Sequence, residues 1–262
     1  MSVVILQDEI VHYEVLGRGR PLILLHGWVG SWRYWIPTMQ AVSITFRAYS
    51  IDLWGFGDTA KEPSRYSINQ QTSLLVDFMD KMGIAKVALV GHGLGALVAL
   101  NFTVQHPEVV DRLMAISSPL GIEMVNTRMR TANPTELADW LLGRGPAAES
   151  ARMEVPKTDL QSVTISLNEL QELDMLKLSM QLNTACLFVY GQNDPAITVP
   201  QYEVFTSLPE RTHQIVLEQS GHFPMLDESS KFNRLLADFL SLPSGESPRQ
   251  LQLKEEWKRR VR

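Results

Sequence analysis

The chain lacks the features that mark several functional classes. Its 262 residues include one cysteine, Cys186, at the start of an apolar run, so no intrachain disulfide can form and a metal cluster finds no support. No stretch approaches the roughly 18 continuous apolar residues of a membrane span. The opening Met-Ser-Val-Val-Ile-Leu-Gln-Asp has neither the basic n-region nor the apolar length of a signal peptide. A soluble cytoplasmic protein is expected. Positive charge is in deficit, with 24 Lys and Arg against 29 Asp and Glu and a net charge of -5. That balance argues against a general nucleic-acid surface, which needs clustered basic residues, and leaves a small molecule as the expected partner. With 45% hydrophobic and 20% charged residues, the chain can form one well-buried α/β domain with an insertion.

What the chain does have is organised around Val87-Ala-Leu-Val-Gly91-His92-Gly93-Leu94-Gly95-Ala96. A short apolar run, then small residues, then a helical pattern through Leu97, Leu100 and Val104 reads as strand, very tight turn and helix. Two devices begin this way: the dinucleotide fingerprint G-x-G-x-x-G/A and the nucleophile elbow G-x-S-x-G. Gly91, Gly93 and Ala96 match the first literally. A fingerprint, however, belongs to the first strand of its domain and needs an acid about 20 residues on. Here much sequence precedes the turn, and the next apolar strand, Leu113 to Ile116, runs into Ser117-Ser118-Pro119 without a carboxylate. The elbow is the better reading, with Gly93 where a serine would stand.

Three other places support it. His26-Gly27-Trp28 follows the apolar strand Leu22 to Leu25, Asp194 follows Leu187 to Tyr190, and His222 follows Gln214 to Leu217. The chain order is therefore nucleophile position, acid, histidine. Together with Asp52-Leu-Trp-Gly-Phe-Gly-Asp58, these motifs resemble the α/β-hydrolase superfamily, from about Val11 to Leu240. The resemblance implies a mostly parallel twisted sheet with helices on both faces and a helical cap. It further implies Asp194 and His222 as acid and base, an oxyanion hole from the backbone N–H groups of Trp28 and Leu94, and no cofactor. His26, Trp28, His92 and Trp140 are the candidate substrate-binding residues, although His92 is expected to point inward. Trp32 and Trp35 read as packing aromatics.

In chain order, Val3 to Leu6 and Val11 to Val15 suggest an opening hairpin, and Phe46 to Ile51 the next sheet strand. Ser67 to Met82 is helix-spaced, with Gly83 fitting its C-cap. From Pro119 to about Thr184 the pattern changes. Asn133-Pro134-Thr135-Glu136 looks like an N-cap opening a helix through Trp140, and a second stripe runs through Leu167, Leu170, Leu173, Leu176 and Met180. The expected division is therefore a core of residues 1–118 and 185–242 with a cap of 119–184. Met124, Met129, Met153, Met175 and Met180 offer that cap an adaptable apolar lining, or merely fill its gaps. Pro200 to Leu208 looks helical, and Lys231 to Leu240 has a strong stripe. Residues 243–262 read as a linker and a basic tail ending Trp257-Lys-Arg-Arg-Val-Arg, either solvated or in weak contact with a partner or an anionic surface.

Glycine at 93 removes the covalent nucleophile while easing the strained backbone of the elbow. Ser117 and Ser118 follow the next strand, but no elbow aims them at the histidine. Three readings stay open. The dyad of Asp194 and His222 acts as a general base on water or a substrate proton, the protein binds a small apolar carbonyl or ester without turnover, or the chain is an inactivated serine esterase.

Overall fold

The computed structural model describes residues 2–253. The tail sequence from 254 onward, Trp257 included, lies outside the described residues. Eight strands form one sheet: β1 Ser2–Leu6, β2 Glu9–Gly17, β3 Arg20–Leu25, β4 Phe46–Ile51, β5 Val87–His92, β6 Val110–Ile116, β7 Ala185–Gly191 and β8 Thr212–Leu217. Their order is β1-β2-β4-β3-β5-β6-β7-β8, antiparallel in the first two pairings and parallel in the other five. The parallel strands are buried on both faces, which is why Leu22 to Leu25 and Ala185 to Tyr190 are continuous rather than alternating apolar runs.

The helices are α1 Ile36–Val42, α2 Ile68–Met82, α3 Leu94–Gln105, α4 Arg128–Thr131, α5 Pro134–Leu141, α6 Pro146–Arg152, α7 Leu160–Glu169, α8 Met175–Ser179, α9 Tyr202–Thr206, α10 Pro224–Asp227 and α11 Ser229–Leu240. The step from β3 through α1 to β4 runs one way along the sheet, and the steps through α2 and α3 run the other way. Right-handed crossovers therefore put α1 on the opposite face from α2 and α3. Accordingly α1 packs against α11, and α2 against α3. The same reversal between β3 and β5 brings the loops after those strands together at the carboxyl edge of the sheet, where such folds bind ligands. No described helix is long and apolar enough to cross a membrane.

Local signals hold where they rest on capping. Ser67 accepts from the N–H of Gln70, Gly83 closes α2 at φ 65°, and Asn133 with Glu136 forms a reciprocal capping box around Pro134. The second stripe between β6 and β7 is not one helix, because Asp174 caps a separate α8. Met129 and Met175 are buried, but Met153 and Met180 are 60% and 47% exposed, so these two line nothing. Residues 243–253 do not run free as their linker composition suggests. Ser244 bonds Asp111, Ser247 donates to the carbonyl of Glu210, and Leu251 is fully buried.

The excursion between β6 and β7 is tied to the sheet by charge. Lys157 bridges Asp58 at 2.9 Å and Glu154 at 3.1 Å, and Glu154 also accepts from Arg33 at 2.8 Å. The elbow is tied to the sheet by close approach. A Cβ on Gly95 would lie 2.5 Å from the carbonyl oxygen of Leu25 and 2.6 Å from that of His26. Because backbone cannot yield as a side-chain tip can, Gly95→Ala is expected to destabilise the protein by about 3 kcal/mol, near the upper end for overpacked cores. Urea denaturation checks this; an unchanged midpoint would show that helix and strand separate freely.

Candidate active site

The turn between β5 and α3 is held by glycine. Gly93 has φ 51° and ψ −113°, outside the regions open to ordinary L-residues. Its N–H donates to the carbonyl of Ile116, and its own carbonyl accepts from Ala96 and Leu97 to start α3. Among the described residues, neither the N–H of Leu94 nor that of Trp28 is engaged in a hydrogen bond. Leu94 is the first residue of a 12-residue helix, so its free donor also carries the positive end of the helix dipole.

Asp194 lies just beyond β7 and His222 just beyond β8, and both are buried. The Nδ1 of His222 is 2.9 Å from Oδ2 of Asp194, while Oδ1 of Asp194 accepts from the N–H groups of Ala196 and Ile197. Burial alone would raise the Asp194 carboxyl. The His222 ring and these backbone donors overcome it and hold the acid below its usual range. The ionised carboxylate fixes His222 with its proton on Nδ1 and leaves Nε2 as the basic nitrogen.

His92 and His26, expected as substrate-binding residues, have their ring nitrogens bonded within the protein. The Nε2 of His92 lies 2.8 Å from the carbonyl oxygen of His222, so it carries the proton and donates, and Nδ1 accepts from the hydroxyl of Tyr34 at 2.9 Å. That hydroxyl in turn accepts from the N–H of Gly27 at 2.7 Å. His26 accepts from the N–H of Leu53 at Nε2 and donates from Nδ1 to the carbonyl of Gly27. Both rings are fully buried with both nitrogens engaged. Burial lowers the pKa of each, strongly for His92, where the adjacent His222 ring adds to the effect.

Trp140, the fourth expected substrate-binding residue, carries a cation-π contact. It sits half-buried on α5 beneath the Arg128 guanidinium, 4.8 Å from the ring centre, and that contact occupies one aromatic face. Ser117 has φ 45° and donates its hydroxyl to the carbonyl of His222, whereas the buried Ser118 hydroxyl has no partner. Trp28 stays at the centre. It is fully buried, its Nε1–H donates to Ser166 at 3.0 Å, and its Cε3 and Cζ3 stand 3.1 and 3.2 Å from where a Cβ on Gly93 would be. Tyr34 and Ser166 carried no sequence signal: one lies in an aromatic run, the other mid-helix. A cavity of about 350 Å³ opens between α4 and α7, lined by residues such as Arg130 and Leu167, and none of its lining residues belongs to the dyad or the elbow.

The sequence profile described as the alpha/beta hydrolase fold matches residues 20–148. The putative carbamate hydrolase RutD of Yersinia enterocolitica is 24% identical over 94% of this chain and 97% of its own length. A pimeloyl-[acyl-carrier protein] methyl ester esterase of Vibrio cholerae is 26% identical over 87% of this chain and 97% of its own. Among solved structures, the enol-lactonase of Burkholderia xenovorans LB400 superposes with a TM-score of 0.80 at 18% identity, covering 92% of this chain and 100% of that one.

The histidines set a pH dependence. His26 and His92 are held below their ordinary value, and His213 is pushed down to about 4 by burial and the Arg249 charge. The unfolded chain then binds more protons than the folded one below about pH 6.5, so stability is full above that value and falls as pH drops. His12 works oppositely: Asp52 overcomes the effect of its burial and raises it, but a single group does not cancel three. The urea midpoint should fall clearly between pH 7.5 and pH 5. At pH 7.5, Tyr34→Phe should cost about 2 kcal/mol, since it leaves the Gly27 N–H and His92 Nδ1 unpaired. Midpoints that stay level with pH would mean that these imidazoles are solvated.

Proposed function

Because the chain belongs to the α/β-hydrolase superfamily, we propose that it acts on a small, largely apolar ester, lactone or related carbonyl compound by general-base chemistry without a covalent acyl-enzyme. The observation that carries this reading is the buried pair of His222 and Asp194, in hydrogen-bond contact across two strand ends although residue 93 is glycine. A dyad with no serine to activate can still take a proton from water or directly from a substrate.

In the hydrolytic case, the carbonyl oxygen of the substrate accepts from the N–H groups of Trp28 and Leu94. Nε2 of His222 takes a proton from water as the resulting hydroxide adds to the carbonyl carbon. The C–O bond to the leaving group then breaks, and the imidazolium returns the proton to the departing alkoxide, giving acid and alcohol. Asp194 remains ionised and stabilises the imidazolium between the two transfers. Residues 119–184 are proposed to serve as the cap over this site, with residues 1–118 and 185–242 as its core. The rate is expected to be low, since loss of a triad serine removes about six orders of magnitude while binding and an oxyanion hole keep roughly 10³–10⁴ over water.

The crowding of Gly93 favours a second reading. With Trp28 at 3.1 Å from the site of a Cβ, the protein has little room for a hydroxymethyl group, which suits a non-catalytic carbonyl binder and weighs against an esterase inactivated only by losing its serine. Steady-state hydrolysis of activated aryl esters and lactones separates the two. Turnover that falls about a thousandfold in His222→Ala, with binding retained, supports the general base. Saturable binding without any turnover, in the wild type and in Gly93→Ser alike, would replace it with the binder.

A further inference from the structure

Among the described residues, Trp28, Trp32, Trp35 and Trp54 have buried indole nitrogens, and they are treated differently. Trp32, Trp35 and Trp54 leave the indole N–H without a partner, whereas Trp28 donates to Ser166. Ser166 lies in the middle of α7 and is fully buried, and its hydroxyl passes its own proton to the carbonyl of Ser162 at 2.7 Å. A serine bonding back to its own helix weakly disfavours that helix, so its placement inside α7 calls for a compensating contact. The indole supplies it. The relay from Trp28 N–H through Ser166 O–H to Ser162 C=O leaves no donor unsatisfied.

The element holding this relay is fixed at both ends. The N–H of Asp159, which caps α7, donates to the carbonyl of Gly55 at 2.8 Å, and the Asp159 carboxylate accepts from the Tyr66 hydroxyl. At the other end, Glu169 accepts from the N–H of Ile68. Between these anchors the indole spans from α7 to the elbow, with its nitrogen on the serine and its benzo edge against Gly93. Within this fixed frame the indole is held to α7 by a single side-chain hydrogen bond.

We propose that Trp28 is a gate standing where an elbow side chain would be, and that Ser166 is the positioning residue that latches it, so that a ligand reaches His222 only when the indole swings away from Gly93. This deepens the reading above by taking His222 as the guarded group. Glycine at 93 is then the partner of the tryptophan rather than a simple vacancy. A Cβ there would stand 3.1 Å from the ring, tighter than an ordinary contact, so the indole would have to give by a few tenths of an ångström.

Carbethoxylation of the imidazoles by diethyl pyrocarbonate, read residue by residue by peptide mass spectrometry on the full chain, tests the gate and requires no turnover. With half-buried His106 as the internal reference, Ser166→Ala should raise the modification rate of His222 about tenfold, because the orphaned indole N–H favours positions outside the latch. Ser166→Thr, which retains the hydroxyl, should stay near the wild type. Trp28→Phe keeps a ring without the donor, and combining it with Ser166→Ala should add nothing to either single change. Equal rates in the wild type and Ser166→Ala, with native near-ultraviolet circular dichroism in both, would overturn the gate, as would effects of the two changes that simply multiply. A protein that turns over no ester yet shows the latch dependence retains the gate and loses only the catalytic reading.

Discussion

The carbonyl oxygen of His222 is the point on which the candidate site depends. It accepts from Nε2 of His92, which sits at the end of β5, and from the hydroxyl of Ser117, which follows β6, so one backbone atom ties the loop after β8 to two other strands. Through His92 the connection continues to Tyr34 and on to the N–H of Gly27, beside the Trp28 amide. Every group in the chain is buried, so each bond is insulated from water and each lost partner would leave an uncompensated polar atom. The network sets His222, the turn at Gly93 and the free amides in one frame. It does so with a neutral imidazole at His92, whose burial and lowered pKa belong to the same design.

Within that frame His222 and His92 have opposite chemistry although their ring centres are 4.7 Å apart. His222 faces an ionised carboxylate that compensates for any positive charge it takes up. His92 faces a phenol and a carbonyl and lies beside another imidazole, so protonating it has no compensation. Environment, not residue type, separates the ring proposed to handle protons from its buried neighbour.

The sheet topology was legible because it rests on local signals. Continuous apolar runs, the Ser67 and Asn133 caps, and the small residues from Gly91 to Ala96 each act within a few positions, and their chain order identified the fold. The pairing of Asp194 with His222 was legible from order alone, since both follow buried strands of a parallel sheet whose carboxyl ends must converge. The expected substrate-binding positions His26, His92 and Trp140 carry side chains that could equally bind a ligand or pack. Nothing near them in sequence reveals that Leu53, Tyr34 and Arg128 are their partners.

The sequence by itself determined the fold, the glycine at the elbow and the absence of a hydroxyl there, because these depend on backbone conformation and on what a residue lacks. Tertiary structure alone decided what fills the space beside that glycine. The contact between Trp28 and Gly93 and the bond from Trp28 to Ser166 join residues 65 and 138 positions apart, and hydrogen bonding and packing at such separations follow from how the chain closes on itself rather than from any local pattern.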